Sequence, residues 1–110
     1  MNNNIQAKEL YDHFLENNSP RVIDLRDGDD YGAGHIPSAL NIPYLRLRYS
    51  PGFIPDSEPI VLYTGGDDPQ QDQEAYDESV RLLSEQGIQA SVLEGGMAAW
   101  VKAGYPIEIE

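Results

Sequence analysis

The chain has 110 residues, 40% of them apolar, which is enough for one domain with a single core but not for two, so we expect residues 1–110 to form one domain. It contains no cysteine, which excludes disulfides, thiolate zinc sites and every cysteine-based mechanism. Its formal net charge of −12 argues against nucleic acid or an anionic membrane surface as a partner, because phosphate binding needs a basic patch.

Helix and strand signals alternate along the chain. Residues 6–17 carry apolar side chains at a spacing of three and four, which predicts an amphipathic helix. Further helices are predicted at 43–49, 69–86 and 97–103. Short apolar runs predict strands of one largely parallel sheet, with the third run at its centre: 22–25, 39–42, 60–63 and 91–93. The prolines of residues 50–59 predict an irregular segment.

The central predicted strand runs directly into a glycine loop and a helix start. Gly65 and Gly66 permit backbone angles that are closed to other residues. Asp68 followed by Pro69 is typical of an N-cap and a proline at the first helical position. Loop and helix N–H groups converge beyond the carboxyl end of such a strand. The candidate site is therefore this loop: Thr64, Gly65, Gly66, Asp67, Asp68 and Pro69.

Two longer motifs flank the central strand. Residues 21–43 contain Asp-x-Arg at Asp24 and Arg26, then Tyr31, then Gly-His-Ile-Pro around His35, and an Ala-x-Asn-Ile-Pro run. Residues 93–106 contain a glycine pair, a tryptophan and a Gly-aromatic-Pro run, with the motif residues Gly95, Gly96 and Trp100. In this order the two motifs resemble the opening and closing signatures of the rhodanese-like family. The resemblance covers roughly residues 21–106.

The resemblance implies an α/β fold, a single rhodanese-like domain. Its sheet would be mostly parallel and about five-stranded, with helices on both faces and the active-site loop after the central strand. In active members that strand ends in a cysteine, whose thiolate accepts a sulfane sulfur and holds it as a persulfide. Here Thr64 stands in that place. A hydroxyl forms no persulfide, and as a nucleophile it needs an adjacent base or a free N-terminal amine, which the local sequence does not supply.

The motif residues also have structural interpretations. A carboxylate and a guanidinium at Asp24 and Arg26 predict a hydrogen-bonded pair that holds loops together rather than a catalytic pair. His35 has no second histidine or acid cluster at ligand spacing, so we predict no metal site and expect its ring to bond the backbone. Gly95 and Gly96 predict a tight turn, and Trp100 a core anchor. The acids before Tyr31 predict a solvated turn, with a cation site as the alternative: Asp27, Asp29 and Asp30.

An acidic run follows Thr64. Between residues 64 and 79 there are six acids and no lysine or arginine: Asp67, Asp68, Asp72, Glu74, Asp77 and Glu78. We expect this run to repel anions and to favour a basic partner or a cation. The negative charges of the carboxylates oppose the favourable interaction that a helix N-terminus has with an anion. A solvated surface that serves only solubility is the alternative interpretation.

These observations lead to two functional hypotheses. The first is a rhodanese-like domain, inactive as a sulfurtransferase, that acts as a binding or regulatory module toward an unknown protein or a cationic ligand. The second is an enzyme: a sulfurtransferase acting on thiosulfate or a related anion, an arsenate or phosphate-ester enzyme, or another chemistry at Thr64. The missing cysteine favours the first.

The sequence indicates no cofactor and no metal. It has no run of about 18 apolar residues and no leader of basic and apolar regions, so we expect a cytoplasmic protein that binds neither membrane nor nucleic acid.

Overall fold

The computed structural model describes residues 4–49 and 59–110. The strands are β1 (Asn4–Ile5), β2 (Arg21–Asp24), β3 (Leu40–Asn41), β4 (Ile60–Tyr63) and β5 (Ala90–Leu93). The helices are α1 (Ala7–Leu15), α2 (Gly28–Ala33), α3 (Tyr44–Tyr49), α4 (Pro69–Ser84) and α5 (Gly96–Lys102). The strands pair in the order β1-β5-β4-β2-β3, and every pair is parallel. The predicted parallel sheet and the central position of β4 are confirmed.

Both faces of β4 are covered, which explains its unbroken apolar sequence. All four of its residues are buried. Ile60 and Leu62 belong to one core, together with residues of α3 and α4. Val61 and Tyr63 belong to a second core, together with residues of α1 and α5. Side chains alternate across a strand, so one short run supplies both cores, and helices lie on both faces as predicted.

Two elements escaped the sequence analysis. The acids before Tyr31 do not form a solvated turn but begin helix α2, whose N-cap Asp27 accepts a hydrogen bond from the Asp30 N–H at 2.9 Å. Acids stabilise a helix N-terminus. The glycines of this segment disfavour a helix, and the sequence pattern therefore did not predict one. Strand β1 has only two residues, pairs with β5 at the edge of the sheet, and is too short to show a pattern.

Other boundaries shift by a few residues. The first helix begins after its N-cap Gln6 and ends at Leu15. The prediction for residues 50–59 lies, apart from Pro59, outside the described part of the chain. Of the two loop glycines, Gly66 has a positive φ of 84°, while Gly65 does not have a positive φ.

The parallel topology places the segments after β2, β4 and β5 at one edge of the sheet. The Leu25 N–H donates to the Tyr63 carbonyl at 2.9 Å, which joins the ends of β2 and β4. The Met97 N–H donates to the Thr64 carbonyl at 2.8 Å, which joins the β4–α4 loop (residues 64–68) to α5. The predicted loop therefore faces the end of β2 and the start of α5. In residues 4–49 and 59–110, no helix is long and apolar enough to cross a membrane.

Candidate functional site: a cleft beside Thr64

Close backbone contact with the start of α5 fixes the β4–α4 loop. Besides the bond to Thr64, the Ala98 N–H donates to the Gly65 carbonyl at 2.9 Å. A Cβ atom at Gly66 would collide with the carbonyl oxygen of Gly95, and one at Gly96 would lie 2.5 Å from the Thr64 oxygen. Gly96 has a φ of 57°. Glycine is required at both positions because the two backbones touch there.

Thr64 is buried, and its polar groups are engaged by a tyrosine of α4. The Thr64 N–H donates to the Tyr76 hydroxyl at 3.0 Å, and the Thr64 hydroxyl donates to the same oxygen at 3.2 Å. Tyr76 in turn donates to the Leu93 carbonyl at 3.3 Å. Burial raises the pKa of Tyr76, so its hydroxyl stays protonated at neutral pH and offers Thr64 no base. Among the described residues, Thr64 is a buried hydroxyl without an activating partner.

Two acids of this region make local backbone contacts. Asp68 accepts a hydrogen bond from the Gln71 N–H at 3.2 Å and is the N-cap of α4, as the sequence predicted. Asp72 reaches back to the loop, and its Oδ2 accepts the Gly66 N–H at 2.9 Å. Asp72 and Tyr76 lie one turn apart on α4, so one face of the helix holds two N–H groups of the loop.

The predicted pair of Asp24 and Arg26 is present and lies at the end of β2. Asp24 is fully buried, and its Oδ2 accepts hydrogen bonds from Arg26 Nη2 and from the Tyr63 hydroxyl, both at 2.7 Å. Arg26 Nη2 also donates to the Gly34 carbonyl at 2.7 Å. Burial opposes the guanidinium charge, yet the hydrogen bond and charge of Asp24 raise the pKa of Arg26. The charge of Arg26 is therefore largely balanced by Asp24.

Tyr63 connects this ion pair to the segment before β3. Its hydroxyl accepts the Ile36 N–H at 3.1 Å while donating to Asp24. Burial raises the pKa of Tyr63 well above its ordinary value, and the adjacent Asp24 carboxylate raises it further.

His35 and Trp100 are buried away from the cleft. His35 Nδ1 lies 2.9 Å from the Tyr31 carbonyl, as expected from the sequence, and its ring stacks on that of Tyr31 at 3.8 Å between centroids. Trp100 donates from Nε1 to the Pro106 carbonyl at 2.7 Å and packs edge-on against Tyr105. No group of three or more histidines and acids within the described ranges is placed to hold a metal ion.

A cleft of about 770 Å³ opens beside Thr64. Its apolar lining includes Leu25, Ala75, Met97 and Val101. Its basic lining residues are Arg26 and Lys102. Five carboxylates line it: Asp27, Asp30, Asp67, Asp68 and Asp72. We call this space the Thr64 cleft.

The Thr64 cleft divides the acidic run that the sequence analysis treated as one surface. Asp67, Asp68 and Asp72 line the cleft, whereas Glu74, Asp77 and Glu78 do not. Glu78 also has two arginine neighbours, with Arg48 Nε at 3.4 Å and Arg81 Nη2 at 3.6 Å from its Oε1. The two arginines thus partly neutralise its charge.

Two acids from outside the run also line the cleft, and the sequence analysis did not place them beside Thr64. Asp27 and Asp30 reach it because they follow β2, and the carboxyl ends of β2 and β4 meet at one edge of the sheet. Their position after a predicted parallel strand was the available signal. Of the predicted motif residues, only Arg26 lines the cleft; Asp24, His35, Gly95, Gly96 and Trp100 are not part of its lining.

The model of the rhodanese-like domain family matches residues 6–103. This chain belongs to the rhodanese-like domain family. The resemblance drawn from the two sequence motifs is confirmed. As a rhodanese-like domain, it holds a threonine where the family resemblance implies a cysteine, and the chain has no cysteine elsewhere.

Several proteins are similar to this rhodanese-like domain in sequence. Thiosulfate sulfurtransferase GlpE of Shewanella oneidensis is 30% identical over 91 residues, which cover 82% of this chain and 84% of that protein. A sulfurtransferase of Allochromatium vinosum is 24% identical over 107 residues, covering 97% and 95%. An HTH-type transcriptional regulator of Mycobacterium tuberculosis is 32% identical over 91 residues; the match covers 79% of this chain but only 37% of the regulator's length.

Solved structures show the same fold. A rhodanese-related protein from Thermoplasma volcanium superposes with a TM-score of 0.81 at 24% identity, covering 97% of this chain and 98% of that one. A rhodanese-like domain protein from Staphylococcus aureus gives a TM-score of 0.79 at 27% identity, covering 100% and 99%. The five-stranded parallel sheet with helices on both faces is thus the rhodanese fold.

Proposed function

We propose that this rhodanese-like domain does not carry sulfur and instead acts as a binding module, taking a cationic ligand or a basic side chain of a partner protein into the Thr64 cleft. The observation that carries the proposal is Thr64, which stands where the family resemblance implies the sulfur-carrying cysteine, in a chain without any cysteine. Its hydroxyl proton is donated to Tyr76, and Tyr76 is no base at neutral pH. Neither persulfide formation nor attack by Thr64 has the group that it needs.

The charge of the cleft supports a cationic ligand. Five carboxylates line it against Arg26 and Lys102, and Arg26 is already paired with Asp24. The apolar lining suits the methylene part of a lysine or arginine side chain, which buries its stem while its charged end meets the acids. A carboxylate rim also attracts cations from solution and slows the approach of anions.

The similarity to the M. tuberculosis regulator supports a role as a module. That protein is named as an HTH-type transcriptional regulator, and the matched segment takes up 37% of it. A segment similar to this domain therefore forms one part of a protein named as a regulator. The two sulfurtransferase relatives support the alternative of sulfur transfer, which the absent thiol argues against.

The first experiment is the formation of thiocyanate from thiosulfate and cyanide by the purified protein, with the S. oneidensis thiosulfate sulfurtransferase as the positive control. We expect no turnover above that of a heat-inactivated sample. Turnover that survives repurification would show that the domain is a sulfurtransferase after all.

The second experiment measures binding of a cationic probe, N-acetyl-arginine amide, by amide chemical shifts in NMR. Replacing two cleft acids, Asp30→Asn and Asp67→Asn, should weaken binding about fivefold, since each exposed carboxylate contributes about 0.5 kcal/mol. The matched control, Glu74→Gln with Asp77→Asn, removes the same charge outside the cleft and should change the affinity less than about twofold. Equal effects of the two variants would favour a solvated, non-specific acidic surface.

A further inference from the structure

We propose that Asp72 sets the charge preference of the Thr64 cleft by occupying the loop N–H group that an anionic ligand would otherwise bind. The Gly66 N–H donates to Asp72 Oδ2 at 2.9 Å. A carboxylate oxygen on a loop amide is chemically what an oxyanion ligand would place there. Asp72 is thus a resident anion of the loop.

Helix α4 builds this arrangement from two positions one turn apart. Asp72 takes the Gly66 N–H, and Tyr76 takes the Thr64 N–H at 3.0 Å. Gly66 has a φ of 84°, and it is packed so tightly that an added Cβ atom would collide with the Gly95 oxygen and lie 3.1 Å from the Ala98 Cβ. The loop therefore has little freedom to turn the Gly66 N–H away from α4, and an incoming anion has to displace Asp72 to reach it.

Three other carboxylates of the cleft do not act in this way. Asp68 caps its own helix through the Gln71 N–H, and Asp27 caps α2 through the Asp30 N–H. Asp67 accepts no hydrogen bond from a loop amide within the described residues, so it contributes charge alone. Asp72 contributes both a charge and an occupied amide, and Asp67 is therefore its natural control.

The inference deepens the proposed function, because it names the residue that makes the cleft reject anions. The inference is tested with an anion and without any cationic ligand, so the inference and the proposed function can fail separately. Inorganic sulfate is titrated at constant ionic strength into the wild type and into Asp72→Ala, Asp72→Asn and Asp67→Ala, with the Gly66 amide followed by ¹⁵N–¹H NMR.

We expect Asp72→Ala to bind sulfate at least about tenfold more tightly than the wild type, since it frees an amide from a charged acceptor. Asp72→Asn keeps an oxygen that can accept the Gly66 N–H, and Asp67→Ala removes only charge. Both should therefore gain less than about threefold. The inference is overturned if Asp72→Ala binds sulfate no better than Asp67→Ala, or if Asp72→Asn equals Asp72→Ala.

Hydrogen exchange in the wild type tests the occupied amide without any variant. The Gly66 amide should exchange at least about tenfold more slowly than that of Gly65, for which no acceptor lies within the described residues. Equal exchange rates for Gly65 and Gly66 would show that Asp72 does not hold the Gly66 N–H, and the inference would then be wrong. Because this measurement uses the wild type, it decides the question even if the Asp72 variants do not fold.

Discussion

Replacing Thr64 by cysteine tests whether a thiol is the only group that the cleft lacks for sulfur transfer. The sulfur atom would lie at the end of β4, in the position that the family resemblance implies for the cysteine. A catalytic thiol must ionise near neutral pH, which needs N–H donors or cations close to the sulfur. Here the Thr64 and Gly66 N–H groups are bound to Tyr76 and Asp72. We therefore expect Thr64→Cys to transfer little sulfur.

The size of the effect follows from the carboxylates of the cleft. At a separation of about 8 Å and an effective dielectric constant of about 40–80, each carboxylate disfavours a thiolate by about 0.5–1 kcal/mol. Removing two of them, Asp67→Ser and Asp68→Asn, recovers about 1–2 kcal/mol, or about one unit in the pKa of the thiol. Asparagine at position 68 can still cap α4, so the helix start should be preserved. The approach of the thiosulfate dianion gains in addition.

The assay is the initial rate of thiocyanate formation at equal concentrations of folded protein. The triple variant Thr64→Cys, Asp67→Ser, Asp68→Asn should exceed Thr64→Cys by at least about tenfold, because ionisation and substrate approach both improve. A control that combines Thr64→Cys with Glu74→Gln and Asp77→Asn should gain little, since those acids lie outside the cleft. If Thr64→Cys alone reached the rate of the S. oneidensis enzyme, the acidic cleft would have no part in silencing this site.

Three further predictions concern stability. Tyr63→Phe should lower the free energy of unfolding, measured in urea, by about 2–4 kcal/mol, because it removes a buried hydrogen-bond partner of Asp24 and of the Ile36 N–H. A loss under about 1 kcal/mol would contradict this reasoning. Gly96→Ala should cost more than about 3 kcal/mol, because its Cβ would meet backbone, whereas Gly87→Ala, also at positive φ but in open space, should cost about 1 kcal/mol. Similar thermal shifts for the two would be inconsistent with the close approach. The raised pKa of Tyr63 in the folded state means that its stabilising contribution is present below the unfolded value of 10.0 and is lost as pH rises above it. Unfolding free energies should therefore fall above about pH 10 and fall less in Tyr63→Phe, and an equal fall in both proteins would argue against this assignment.

Local sequence patterns determined much of the fold. The unbroken apolar run of β4 predicted a strand covered on both faces, and it lies at the centre of the sheet. Asp68 and Pro69 predicted the start of α4, since capping depends on residues that are neighbours in the chain. Four strands followed from pattern, whereas the fifth followed only from the family resemblance, because β1 has two residues and pairs with β5, far along the chain.

The sequence also determined that no thiol is present, and it placed Thr64 at the end of β4. Only the tertiary structure decided which charged residues line the cleft beside Thr64. Asp27 and Asp30 enter the cleft because β2 and β4 are parallel neighbours, while Glu78 turns to Arg48 and Arg81 although it belongs to the same acidic run as Asp67. Spacing along a helix indicates which residues share a face. The charge of a cleft, however, depends on which chain segments the sheet brings together, and no local sequence pattern determines the order of the strands.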